Sequence, residues 1–208
     1  MRKNSFFQEV FFAALAAYSP RAGLADELWT DICTAYADCR RHYHNLHHLE
    51  QLATGLFQVK SFIGNWNAIV FAIAYHDFVY QASRHNNEEE SMQRAVTRLS
   101  AFVDAPTMEQ CKVLILATKK HEAASDGDVN YFTDGDLSIL GAEPREYDNY
   151  ASNIRKEYSL YPDLIYKPGR KKVIRHFLDM KRIFKTDWFC NRYEEAARRN
   201  LENELKLL

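Results

Sequence analysis

The sequence predicts an all-α protein of the helical-bundle class, on three observations. Apolar residues recur three and four apart through most of the chain, the period of one helix face. Glycine and proline are scarce, at 7 and 5 of 208 residues, which disfavours a turn-rich β architecture. No stretch of useful length alternates apolar and polar residues as a half-buried strand does.

Taken in order, Phe6, Val10, Leu15 and their neighbours form a first helix that Pro20 ends. Residues 24–36 form a second. A third covers 43–60, with Leu46, Leu49, Leu52, Leu56 and Val59 on one stripe. Residues 65–80 are apolar on nearly every face and are expected at the centre of the fold. Asn86 or Asn87 opens the next helix, with Glu88, Glu89 and Glu90 in the first turn, where acids favour the helix dipole. Helix 106–120 starts on a proline. Residues 123–130 (AASDGDVN) are dense in Asp, Gly and Ser and predict a loop. Helical segments follow at 136–140, 144–161, 171–184 and 188–208, with Pro162 and Pro168-Gly169 breaking the chain between the last three.

With 208 residues, 47% of them hydrophobic, the chain suffices for one sizeable core, so 1–208 is expected to form a single domain. A net charge of −1 supplies no field to recruit a nucleic-acid polymer or an acidic membrane. No run approaches the ~20 apolar residues that span a bilayer. The N-terminus carries two basic residues before an apolar stretch, but Gln8 and Glu9 interrupt it, which favours a core helix over a signal peptide. Cys33, Cys39, Cys111 and Cys190 show no C-x-x-C spacing and read as buried thiols of a reducing cytoplasm. The aromatic content, 13%, reads as packing, with enough apolar surface for a homodimer.

The chemistry centres on His76-Asp77, set in the apolar run 68–80 (AIVFAIAYHDFVY). Burying an ionisable pair is costly without compensation, and a divalent cation compensates an imidazole and a carboxylate together. Mn, Mg, Fe, Zn, Co and Ni all suit such donors. His44 and His48, four apart, are expected on one helix face. Asp134 and Asp136 follow the predicted loop, and His121 is expected to close the helix before it. Each piece has a plainer reading: surface histidines, a hydrogen-bonded core pair, helix caps. Together, three segments each supply short groups able to bind a metal.

Secondary candidates carry two readings each. Glu88 orients water or simply makes an acidic helix start. His121 contacts phosphate or a second ion, or ends its helix. Lys119 steers phosphate or is solvated. In the basic stretch Arg155, Lys167, Arg170, Lys171 and Lys172, Arg170 is the best phosphate candidate, because it follows the break at Pro168-Gly169.

The order His48, His76-Asp77, Asp136 resembles the H…HD…D pattern of the HD-domain metal-dependent phosphohydrolases, an all-helical family whose ligands come from separate helices. Tyr43-His44-Asn45-Leu46-His47-His48 looks like the YHNxxH signature of cyclic-nucleotide phosphodiesterases, and Leu116-Ala117-Thr118 before His121 and Asp136-Leu137-Ser138 echo it. Asn87-Glu88-Glu89-Glu90-Ser91 and Arg198-Arg199-Asn200-Leu201-Glu202 look more like small bacterial HD proteins. The core resemblance covers about 40–140, with the helices of 144–208 packed on that core.

The resemblance implies His48, His76, Asp77 and Asp136 as ligands of a divalent metal ion. It implies His44 as the general acid, while Glu88 for catalysis and Lys119, His121 and Arg170 toward substrate rest on the reading of the residues alone. The implied activity is hydrolysis of a small phosphate ester, a nucleotide, by metal-activated water. The continuation Phe78-Val79-Tyr80 departs from the phosphodiesterases, which carry a further His there, so a second tightly bound metal is not implied, and no residues match those that select a cyclic-nucleotide base, so that specificity is not implied either. Two other readings stay open: a di-iron oxygenase of the same fold with His121 as an added ligand, and a non-catalytic metal or nucleotide sensor.

Overall fold

A computed structural model of the chain describes residues 5–208. The two basic residues weighed above for a signal peptide, Arg2 and Lys3, lie outside the described residues. Among the described residues there are helices and no strand, as the periodicity predicts. The chain divides into two compact units, the first running to Thr133 and the second from Asp134 to Leu208. No helix is long and apolar enough to cross a membrane among the described residues.

The first unit contains α1 (Phe6–Ala16), α2 (Leu24–Tyr36), α3 (Leu46–Phe57), α4 (Trp66–Tyr75), α5 (Asn87–Leu99) and α6 (Ala105–Ala117). At its centre α4 packs against α1, α3, α5 and α6. Its residues Ala68, Ile69, Val70, Phe71, Ala72, Ile73, Ala74 and Tyr75 are all fully buried. Burying each large side chain contributes roughly 1.5–3 kcal/mol, so α4 is the element that most fixes this unit.

Side-chain caps set where these helices begin. Asn45, Asn65 and Asp104 accept from the backbone N–H of His47, Ala68 and Thr107. Carboxylates from elsewhere in the unit also hold chain ends. Glu50 accepts from Phe6 and Phe7 N–H at 2.9 and 3.0 Å, and Asp128 from Gly64 and Asn65 N–H, both at 2.8 Å. Helix α7 (Gly127–Leu137) contains the division between the units.

The second unit comprises a 3-10 turn (Ser138–Gly141), α8 (Pro144–Glu157), α9 (Asp163–Asp179) and α10 (Asp187–Leu207). Helix α10 packs on the 3-10 turn and on α9. A Cβ at Gly141 would come 2.6 Å from Tyr193 Cβ, so only glycine allows this approach. Asn200 Nδ2 donates to the carbonyls of Leu140 and Ala142, both at 2.9 Å.

Four expectations need correction. The 123–130 loop is shorter than expected, because Asp126 accepts from Asp128 N–H at 2.9 Å and starts α7 there. Pro168-Gly169 does not break the chain but lies inside α9. The amide missing at Pro168 leaves the Leu164 carbonyl without its helical donor, and Leu164 is exposed, where water can serve it. The fold keeps α9 whole by burying Tyr166, Arg170 and Ile174 on one stripe. Of the four cysteines only Cys111 is buried, while Cys39 is exposed. Finally, α3 and α4 are shorter than predicted at the ends that carry the histidines.

Candidate metal centre

The shortened helices change how the site is built. Helix α3 starts at Leu46, so His44 precedes it and His48 lies in its first turn. The two do not share a helix face. Asn45 makes the corner between them: its side chain accepts from His47 N–H and donates to His42 O at 3.1 Å. The His44 and His48 rings nevertheless stand 5.9 Å apart, with Tyr43 5.0 Å from each.

Helix α4 ends at Tyr75, so His76 is its C-cap residue and Asp77 lies in the turn beyond. The His76 ring is 1% exposed and meets the edge of Phe132 at 5.9 Å. Its Nδ1 lies 3.1 Å from the Ile73 carbonyl. A carbonyl only accepts, so Nδ1 carries a proton, and in the neutral form of the ring Nε2 is left with the lone pair.

That Nε2 faces two further donor atoms. His48 Nε2 is 3.2 Å away and Asp77 Oδ2 is 3.1 Å away, and these two are 3.9 Å from each other. Metal–nitrogen and metal–oxygen bonds of about 2.0–2.2 Å place neighbouring ligand atoms roughly 3–3.6 Å apart, so the two sides that meet at His76 Nε2, 3.1 and 3.2 Å, have that spacing, and the third, 3.9 Å, is wider. His44 Nε2 stands 4.0 Å from Asp77 Oδ2. The His44 and Asp77 side chains are 19% and 18% exposed, against 4% and 1% for His48 and His76, so the cluster opens on the His44–Asp77 side.

The segment after Asp77 is tied down by α5. Ser91 Oγ accepts from Val79 N–H at 3.0 Å and lies 3.2 Å from Val79 O. The Asn87 side chain accepts from Gln81 N–H at 3.1 Å and donates to Gln81 O at 2.9 Å. Two residues of the Asn87…Ser91 motif therefore act on the backbone that follows the His-Asp pair.

Asp136 is half-buried in the last turn of α7, one helical turn after Phe132. Glu88 is half-buried in the first turn of α5. Lys119 is ion-paired with Glu89 and donates to His85 O at 2.8 Å, so its charge is already matched. Helix α6 ends at Ala117, and His121 reverses the chain beyond it with φ of 52° and its N–H on Ala117 O.

Arg170, chosen for a supposed chain break, is buried in the second unit with both ends of its guanidinium on Glu204, at 2.7 and 2.8 Å, beside Tyr147. It is a structural partner rather than an open phosphate site. Asp134 is fully buried and accepts from Lys185 N–H, Thr186 N–H and Thr186 Oγ1, which holds the start of α10. Burial pushes its carboxyl up against those hydrogen bonds, and pushes the Lys185 ammonium down.

Sequence reasoning missed Arg41. Its guanidinium donates to Asp77 O at 2.7 Å, Phe78 O at 2.9 Å and His44 O at 3.4 Å. Beside Arg40, it reads from sequence as one of two solvated cations. No protein-family model, curated protein or solved structure matches this chain.

Proposed function

We propose that the chain is a metal-dependent phosphohydrolase of the HD type, acting on a small phosphate ester of the nucleotide class. The observation that carries this is the contact of His76 Nε2 with Asp77 Oδ2 at 3.1 Å. With Nδ1 committed to Ile73 O, the neutral ring turns the Nε2 lone pair toward the carboxylate, a pairing that suits a cation between them. His48 adds a second imidazole, and the H…HD…D order of the sequence nominates Asp136 as the fourth donor. Asp136 lies on the other side of the division between the units, so its part rests on that order alone.

A divalent cation held there would supply an activated water and neutralise charge on a phosphoryl oxygen. The protein's own part is then positional. His48, His76 and Asp77 would hold the ion, and the Ile73 carbonyl keeps the proton on His76 Nδ1, leaving Nε2 for it. His44, at the open side of the cluster, gives its proton to the oxygen that leaves phosphorus.

The test measures metal in the purified protein and phosphate release from nucleoside mono-, di- and cyclic phosphates. One bound metal per chain is expected, lost in His76→Ala. Metal-dependent release should be lost in His44→Ala while the metal stays bound. A protein that takes up no metal refutes the proposal. Metal uptake with nucleotide binding but no turnover replaces it with a sensor.

A further inference from the structure

The His44 segment and the His76–Asp77 turn meet on one side chain, Arg41. Its Nη1 donates to Asp77 O at 2.7 Å and to His44 O at 3.4 Å, and its Nη2 donates to Phe78 O at 2.9 Å. The guanidinium carbon lies over two rings, 4.8 Å from the Tyr36 centroid and 5.6 Å from that of Tyr80. Tyr80 in turn lies 4.2 Å from the His44 ring. The backbone of both segments and the ring of His44 are thus referred to one planar cation.

We infer that Arg41 is the positioning residue of the metal centre, setting the Asp77 carboxylate and the His44 imidazole in fixed relation to His48 and His76. This rests on the metal-centre reading above. The chemistry requires arginine. Only a planar fork of five donors reaches carbonyls on two segments while presenting its faces to aromatic rings. A lysine keeps the charge but concentrates it at one point, and cannot span the two segments. With its donors on backbone carbonyls, Arg41 has a role distinct from direct phosphate binding.

The test compares Arg41→Lys and Arg41→Gln with the wild type in three measurements on the full chain. These are the melting temperature of metal-stripped protein, the affinity for Mn²⁺ alone and for Zn²⁺ alone, and kcat and KM on the best phosphate ester found. The expected result is a melting temperature within a few degrees of wild type, metal affinity at least tenfold weaker, and kcat at least tenfold lower with KM little changed. Arg41→Lys, despite its retained charge, should not rescue.

Wild-type affinity for both metals in either folded variant overturns the inference and leaves the metal-centre reading standing. If both variants melt far below the wild type, Arg41 serves the fold at large and the inference also falls. If the wild type itself binds neither metal, the metal-centre reading has failed first.

Discussion

The Asp77 carboxylate sits 3.1 Å from His76 Nε2 at the exit of α4, and Nδ1 of that ring is bonded to Ile73 O. With the ring neutral, Nε2 accepts, and a carboxamide at this position can donate to it where the carboxylate cannot. Asp77→Asn should leave the metal-free protein as stable as wild type or more so, yet weaken metal binding at least tenfold. Thermal melts in chelator, set beside metal titrations, check both parts.

Asp128 is the anchor for the start of α4. It is largely buried and accepts from two consecutive backbone amides, Gly64 and Asn65. Asp128→Ala strands both donors and should cost about 2–4 kcal/mol, since a hydrogen bond to a charged group contributes roughly 1.5–3. Urea unfolding should show a lower midpoint with an unchanged slope.

Ser91 closes on both backbone groups of Val79, just beyond the His-Asp turn. Ser91→Ala should destabilise by about 1–2 kcal/mol, the range for buried polar groups left unpaired. It should also weaken metal binding, because the turn loses its tether to α5. Equal metal affinity in the variant would separate the tether from the site.

In the second unit, Glu204 supplies a pH test. Burial pushes its carboxyl up, but the Arg170 hydrogen bonds and charge, with the Tyr147 hydroxyl, outweigh burial and hold it below the ordinary 4.5. A folded-state value below the unfolded one stabilises the protein fully above about pH 4.5, and that contribution fades as pH falls through the folded value. Glu204→Gln leaves a buried Arg170 without its anion and should cost about 3–5 kcal/mol at pH 7. The gap to wild type should narrow steadily below pH 4.5, measured by denaturant unfolding across pH.

Much of the fold was legible because packing and capping agree with the sequence pattern. The apolar spacing of 24–36 matches α2 at both ends, and Pro106 and the acids after Asn87 mark the starts of α6 and α5. The helix ends were less legible where a single residue decides them. Asn45 caps α3 from inside the histidine motif and so removes His44 from the helix. Asp126-Gly127 reads locally as a turn, but Asp126 caps α7. Pro168 is overridden by packing of α9 that no local signal contains. In the site, the ligand types and their order were visible, whereas Arg41 acts through backbone carbonyls, which leave no trace in residue spacing.

The burial of α4 from Ala68 to Tyr75 has a consequence for how an ion would come and go. Its amides from Ile69 to Tyr75 sit in the least yielding part of the first unit and should be among the last to take up deuterium. His76 rides on that stiff rod, while His44 is carried by a short irregular segment at the open rim. A cation held there would load and leave through the rim, so its off-rate should follow loop motion rather than helix opening.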